Sequence, residues 1–177
     1  SANVILNNLF KMTQMQTNFG FNMLAIQNGV PKILSLRQIL DAYIEHQKEV
    51  VVRRTRFDKE KAEARAHILE GLLIALDHID EVIRIIRASE TDAEAQAELM
   101  SKFKLSERQS QAILDMRLRR LTGLERDKIQ SEYDELIALI ADLADILAKP
   151  ERVAQIIKEE LDEVKRKFGD KRRTELM

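Results

Sequence analysis

The sequence predicts a mainly α-helical protein: a long antiparallel two-helix coiled-coil arm with a small helical knob at its tip, preceded by a short N-terminal helix plus β-hairpin. Charged residues make up 33% of the 177 residues, against roughly 25% in ordinary globular domains, and the chain has only five Gly and two Pro. Residues 36–88 and 125–168 repeat apolar side chains in steps of three and four. Such charged, periodic stretches are typical of solvated helices that pack in pairs.

The sequence of residues 1–35 predicts a helix followed by a β-hairpin. Within residues 3–16, apolar side chains recur at helical spacing. Asn28-Gly29 lies between two apolar runs, which is a strong hairpin signal because both residues tolerate positive φ. Pro31 in the second strand indicates an exposed edge, since proline has no N–H to donate to a neighbouring strand.

An outgoing arm helix is predicted over residues 36–88. Ser35 can cap its start, no Pro interrupts it before Ala88, and Gly71 is its weak point. Its seam positions are predicted at 36, 40, 43, 47, 50, 54, 57, 61, 64 and 68. The return arm, read backwards from Phe168 to Leu136, has the same alternating spacing of three and four residues between its seam positions. This shared spacing predicts that the two arms pair in antiparallel orientation. The predicted opposed pairs include Leu40 with Val164, Gln47 with Ile157 and Arg54 with Pro150.

The return arm, residues 125–168, contains Pro150 in the middle of an otherwise unbroken helical pattern. Proline cannot donate to the carbonyl four residues back, and its ring pushes against that carbonyl. We therefore expect a kink near residue 150, with Lys149 and Pro150 as a hinge and Pro150 opening a new helical segment. Arg53 or Arg54 is expected to donate to the freed carbonyl of Ile146 or Leu147.

Between the arms, residues 89–124 are expected to form the knob. Thr91 and Glu94 have the spacing of a capping box for a helix that ends near Phe103. Ser106 can cap the next helix, and Gly123 is expected to end that helix as a C-cap.

This second knob helix has two apolar faces. At 100° per residue, Ala112, Ile113 and Met116 fall on one side, while Leu114, Leu118 and Leu121 fall roughly opposite. A second exposed leucine stripe is typical of a protein interface. The alternative is that the first knob helix covers one face and the ends of the arms cover the other.

Overall charge excludes attraction of the whole chain to nucleic acid or membranes, because 29 basic and 30 acidic residues nearly cancel. Any DNA contact must therefore be local. The stretch "VVRRTRFDKEK" concentrates positive charge at mid-arm, either as a solvated stalk or as a lining for a passing DNA duplex. The candidate lining residues are Arg53, Arg54, Arg56 and Lys59.

No metal or catalytic site is predicted. The absence of cysteine excludes disulfides and thiolate metal sites. Asp77 and Glu81 lie one helical turn apart and could present two carboxylates to a divalent ion, but a solvated helix face explains them better. The three histidines are scattered along one helix without a partnered nucleophile.

Three long segments resemble the A subunits of bacterial DNA gyrase, a type IIA topoisomerase: "ANVILNNLFKMTQMQTNFGFNMLAI", "EARAHILEGLLIALDHIDEVI" and "LSERQSQAILDMRLRRLTGLERDKI". The "RLTGLE" run is closer to gyrase than to topoisomerase IV, which tends to read "RLTNTD" here. The resemblance implies that residues 1–35 end a tower domain and that residues 89–124 dimerise as an exit gate. The charged C-terminal run, residues 169–177, is either a solvated exit segment or a DNA-proximal linker. We therefore expect a piece of a longer protein.

The resemblance implies that the second apolar face packs against another copy of the same region. The implied dimer interface comprises Gln111, Leu114, Arg117, Leu118, Leu121 and Thr122. The family's catalytic tyrosine, in an Arg-Tyr-Thr context, lies upstream, and neither Tyr43 nor Tyr133 matches it.

The implied role is mechanical: this segment holds two subunits together and lets a transported duplex leave during ATP-dependent supercoiling. The implied partners are a second copy and the gyrase B subunit, which supplies the Mg and ATP chemistry, so no cofactor is expected here. Double-stranded DNA is expected to bind this segment weakly or not at all, and the location is expected to be the bacterial cytoplasm. The alternative is a non-enzymatic coiled-coil spacer or adaptor whose knob binds an unrelated protein.

Overall fold

The structure is a computed structural model that describes residues 2–117 and 123–174. The predicted mainly α-helical class is confirmed, and the chain divides into two units between His46 and Gln47. The elements are α1 (Ala2–Met12), β1 (Leu24–Gln27), β2 (Val30–Ile33), α2 (Leu36–Asp77), α3 (Ile79–Ala88), α4 (Asp92–Phe103), α5 (Glu107–Leu114), α6 (Gly123–Ala148) and α7 (Pro150–Phe168).

The first unit has the predicted helix and hairpin. Helix α1 ends at Met12, earlier than expected, and both the hydroxyl and the N–H of Thr13 donate to the Leu9 carbonyl at this end. Asn28 and Gly29 adopt φ values of 53° and 78°, which confirms the turn. Pro31 pairs with Ile26 in this two-stranded sheet, where both strands are edges.

Ser35 caps α2 as predicted and forms a reciprocal pair with Gln38. The Ser35 N–H donates to Gln38 Oε1 at 2.8 Å, and the Gln38 N–H donates to Ser35 Oγ at 3.4 Å. This capping box satisfies two backbone donors that have no partner within the helix.

The prediction of one unbroken helix over residues 36–88 was wrong. The helix stops at Asp77, and His78 has φ −119° and ψ 33° before α3 begins. The His78 ring stacks on Phe103 of α4 with ring centroids 5.5 Å apart. Because α3 packs in the same core as α4 and α5, we call α3, α4 and α5, residues 79–117, the head.

In the second unit α2 runs antiparallel to α6 and α7, as predicted. Arg65 of α2 pairs with Glu132 early in α6, while Arg54 pairs with Glu160 late in α7. Val51 is buried in a cluster with three side chains of the return arm. These are Ile146, Val153 and Ile157.

The predicted seam of α2 was wrong by one residue. The buried positions are Val51, Thr55, Ala62, Ala66 and Leu69, whereas the predicted positions Arg54, Phe57 and Lys61 are exposed. The observed stripe buries small and apolar side chains, and the predicted stripe would have buried two cations. On α7, Val153 is buried in place of the expected Ala154.

The predicted break at Pro150 is confirmed. Helix α6 ends at Ala148, Lys149 is extended with φ −122° and ψ 105°, and Pro150 opens α7. The expected donation from Arg53 or Arg54 to the Ile146 or Leu147 carbonyl was wrong: neither arginine makes this hydrogen bond among the described residues. Arg54 donates instead to Glu160 Oε1 at 2.7 Å.

The head contains the two predicted capped helices. Thr91 Oγ1 accepts from the Glu94 N–H at 3.3 Å, and Ser106 forms a full capping box with Gln109. Their core centres on fully buried Leu99, with Val82, Ile85 and Ile113 around it.

The predicted extent of the second knob helix was wrong. Helix α5 ends at Leu114, because the Met116 N–H turns back to the Ile113 carbonyl at 3.1 Å. Gly123 does not act as a C-cap but is the first residue of α6. Glycine is unfavourable mainly in the interior of a helix, where its backbone loses the most conformational freedom, so the end position is the less costly one.

Candidate association surface and hinge

An apolar groove of about 330 Å³ lies between α3 and α5 on the head. Ile83 and Ile86 remain 36% and 39% exposed along it, and Leu114 lines it from α5. Apolar area left in water is unfavourable by about 25 cal/mol per Å², which makes this groove a candidate for contact with another molecule. Its lining comprises Ile79, Val82, Ile83, Ile86, Arg87, Ile113, Leu114 and Met116.

Helix α3 contributes to this groove because it has two apolar faces. Val82 and Ile85 point into the head core, whereas Ile83 and Ile86, one residue further along, remain exposed. The sequence analysis missed this surface because it assigned residues 79–88 to the arm. The signal was present in "IDEVIRIIRA", where five of ten residues are large and aliphatic.

The predicted interface residues divide between the described and the undescribed parts of the chain. Leu114 is half-buried and lines the groove. Gln111 and Arg117 are exposed, and the Gln111 amide donates to the Asp115 carboxylate at 3.3 Å. Leu118, Leu121 and Thr122 lie outside the described residues.

A polar anchor fixes the start of α5 against α2. The Gln109 side chain is 5% exposed, its Nε2 donates to the His67 carbonyl at 2.7 Å, and its Oε1 accepts from the Ser106 N–H at 2.9 Å. The His67 ring reaches Ser106 Oγ with its Nε2 at 2.7 Å. The start of α5, the helix whose last residue is Leu114, is therefore tied to the turn of α2 that contains His67.

The four candidate DNA-lining residues differ in their surroundings. Arg54 is held by Glu160, and Lys59 Nζ lies 2.6 Å from Glu63 Oε1 one turn along α2. Arg53 and Arg56 are exposed and have no ion pair among the described residues. The two free guanidinium groups are thus the ones available to an external anion.

The predicted hinge residues are bridged by charged side chains. Lys149 Nζ lies 2.5 Å from Asp145 Oδ1. Arg152 of α7 donates to both Asp142 and Asp145 of α6, at 2.9 Å each. The Lys149 ammonium and then Arg152 hold the pKa of Asp145 below its usual value, while Asp142 and Asp145 raise the pKa of Arg152.

The two carboxylates weighed as metal ligands are engaged with cations. Asp77 pairs with Arg126 of α6, and Glu81 pairs with Lys102 of α4. The Lys102 ammonium holds the pKa of Glu81 below its usual value. Within residues 2–117 and 123–174 no group of three or more potential ligands is placed to hold a metal ion. In the same ranges no helix combines the length and apolar character that crossing a membrane requires.

The second unit thus consists of an antiparallel pair of helical arms that carries a helical head with an apolar groove. Residues 1–162 match the family of the DNA gyrase/topoisomerase IV A subunit. The chain belongs to this family, and the resemblance seen in the sequence is confirmed.

Individual relatives agree with the family assignment. The whole chain is 97% identical to part of the DNA gyrase A subunit of Streptococcus pneumoniae and 82% identical to part of that of Streptococcus pyogenes, covering 22% and 21% of those proteins. The DNA gyrase A subunit of Staphylococcus epidermidis is 61% identical over 99% of the chain and 20% of its own length. The chain thus spans about a fifth of the length of these relatives.

Proposed function

We propose that this chain is the coiled-coil and exit-gate dimerisation region of a DNA gyrase A subunit. In this role two copies associate through their heads, and the heads separate to let a transported DNA duplex leave. The whole protein would act in a type IIA topoisomerase with a B subunit that supplies the ATP and Mg chemistry. This chain supplies no catalytic tyrosine, because neither Tyr43 nor Tyr133 lies in an Arg-Tyr-Thr context.

The observation that carries the proposal is the apolar groove between α3 and α5. The groove presents Ile83, Ile86 and Leu114 outward from a head whose own core is already filled by Leu99 and its neighbours. A second copy is the occupant we favour, because an isologous contact buries the same patch twice and closes on itself. Arg87 at the edge of the groove and Asp80 on the same helix offer opposite charges for such self-complementary pairing.

The arms suit the mechanical part of this role. Their packing depends on small and aliphatic side chains such as Ala62 and Val51, while charged residues dominate the outer surface. Such a largely charged two-helix arm can carry the head, although apolar side chains such as Phe57 and Leu139 are also exposed on it. The exposed Arg53 and Arg56 would attract the phosphates of a passing duplex without sequence preference.

The test is the mass of the chain in solution, measured by sedimentation equilibrium over micromolar concentrations. We expect twice the 20.5 kDa of one chain. Ile83→Glu should shift the mass to that of one chain, because a carboxylate buried without a partner is strongly unfavourable. The matched control is Ile137→Glu on α6, since Ile137 is 45% exposed and does not line the groove.

Two results would contradict the proposal. A wild-type chain that stays at 20.5 kDa across the whole range would remove self-association. If Ile83→Glu dimerises as well as Ile137→Glu does, the groove is not the interface. A wild-type monomer that binds a different protein through the groove would favour the adaptor function instead.

A further inference from the structure

We propose that Gln109 is a positioning residue for the association surface: it fixes the direction of α5 on the arm and thereby sets how tightly two heads associate. This inference rests on the proposed dimerisation. It concerns a residue that does not line the groove and is 95% removed from solvent.

The geometry makes Gln109 the junction between the start of α5 and helix α2. Its Oε1 holds the Ser106 N–H at the start of α5, and its Nε2 reaches across to the backbone carbonyl of His67 in α2. Its own backbone N–H donates to Ser106 Oγ at 3.2 Å, and that hydroxyl lies 2.7 Å from the His67 ring. One side chain therefore ties the cap of α5 and the backbone of the arm into one network.

Gly71 of α2 is the residue against which the Gln109 side chain packs. A Cβ placed on Gly71 would lie 2.6 Å from Gln109 Cβ and 2.7 Å from its Cγ. Gln109 Cβ is attached directly to the α5 backbone, so a larger residue at position 71 would force α5 itself to move. Glycine is otherwise unfavourable inside a helix, and this close approach explains its presence in α2.

Because α5 is short, the hydrogen bonds of Gln109 at its start determine the direction of the whole helix. Helix α5 has only eight residues, from Glu107 to Leu114, so an anchor in its first turn determines where its last residue lies. Leu114 is five residues beyond Gln109 and lines the groove. A buried polar contact also fixes one geometry more strictly than an apolar contact does, because its donors and acceptors must meet at defined distances.

Gln109→Leu tests the proposal in the 177-residue chain, because leucine retains the bulk and removes every side-chain hydrogen bond. We expect the dissociation constant of the dimer to rise by about tenfold or more, a change that sedimentation or fluorescence titration resolves readily. Val153→Ala is the control: Val153 is buried in the arm cluster, so its truncation lowers folding stability without touching the head. We expect its dimer to dissociate as the wild type does.

A double-mutant cycle separates orientation from general destabilisation. If Gln109 acts through the placement of α5, then Gln109→Leu should have little further effect on association once Leu114→Ala has removed the oriented side chain. Additive effects of the two substitutions would overturn the proposal, as would a folded Gln109→Leu chain that dimerises as tightly as the wild type.

Gly71→Ala provides an independent variant if Gln109→Leu does not fold. It removes no polar group and favours the α2 helix intrinsically, yet it displaces α5. We expect weaker dimerisation with unchanged helical content, and unchanged dimerisation would again overturn the inference. A wild-type chain that never dimerises would instead refute the proposed function, so the two failures are distinguishable.

Discussion

Arg152 Nη2 donates to Asp142 Oδ1 at 2.9 Å across the break between α7 and α6. The same guanidinium reaches Asp145 with Nη1. The chain lacks a helical hydrogen bond at this point because Pro150 has no N–H. The two aspartates and Arg152 therefore form a side-chain strap over a discontinuity in the backbone.

Replacing Arg152 with Gln should loosen the break without unfolding the arms. We expect faster amide hydrogen exchange near residues 146–153 at low salt, because the strap is lost while Val153 and Ile157 stay buried. The difference should shrink in about 1 M salt, because ion pairs between partly exposed side chains weaken as the salt concentration rises. Lys167→Gln is the control, since its pair with Glu163 lies within α7 and bridges no break. Equal exchange in both variants would show that the strap contributes nothing.

Glu81 should make the head sensitive to acid. Its carboxylate joins α3 to Lys102 of α4, and the pKa of Glu81 is lowered chiefly by that hydrogen bond. A lowered folded-state pKa gives stability that is present above the unfolded value of about 4.3 and is lost as pH falls through the folded value. Glu81→Gln should therefore flatten the pH dependence of unfolding below about pH 5.

The matched control for acid sensitivity is Glu98→Gln. Glu98 is an exposed carboxylate of α4 and has no ion pair in the described part of the chain. Urea titrations between neutral and acid pH measure both variants. If Glu98→Gln flattens the pH dependence of unfolding as much as Glu81→Gln does, the contact between Glu81 and Lys102 is not the cause of the acid sensitivity.

Features set by neighbouring residues were predictable from the sequence. The Asn28-Gly29 turn, the caps at Ser35, Thr91 and Ser106 and the break at Pro150 all depend on side chains within four positions of the backbone they act on. Each has a local chemical cause that a reader of the sequence can identify.

Features set by distant residues were not predictable. The break at His78 accompanies stacking on Phe103, which lies on another helix. The α2 seam was misplaced because Phe57 suggested an apolar position, whereas the observed stripe relies on Thr55 and Ala62, whose small side chains give a weak hydrophobic signal. Of the residues that line the apolar groove, the sequence analysis singled out Leu114 as an interface candidate but missed the exposed face of α3.

Lys104 should be a site where substitution stabilises the head. It ends α4 with φ 55° and ψ 36°, a left-handed conformation that a side chain with Cβ disfavours. Lys104→Gly should raise the free energy of unfolding by about 0.5–1 kcal/mol, as glycine commonly does at this position. Lys104→Ala is the control, because it removes the charge but keeps the Cβ. Equal midpoints in urea for Gly and Ala would show that backbone strain at Lys104 is negligible.

Arg53 and Arg56 should account for any affinity of the arm for duplex DNA. Both guanidinium groups are exposed on α2, whereas the Arg54 group is already paired with Glu160. A contact to phosphate releases condensed counterions, so each such cation adds about 0.9 to the slope of log affinity against log salt. We expect weak, sequence-independent binding below about 0.1 M salt, and the double substitution Arg53→Gln, Arg56→Gln should lower the slope by about two.

Arg54→Gln should change the slope less, because the Arg54 guanidinium is already paired with Glu160 and is not available to phosphate. This substitution also frees the Glu160 carboxylate, which then repels phosphate. Fluorescence anisotropy with two unrelated duplexes measures all of these slopes. Equal slopes for the wild type and the double variant would assign Arg53 and Arg56 to solvation of the arm alone, and a larger loss for Arg54→Gln would mean that the Glu160 pair opens when DNA binds.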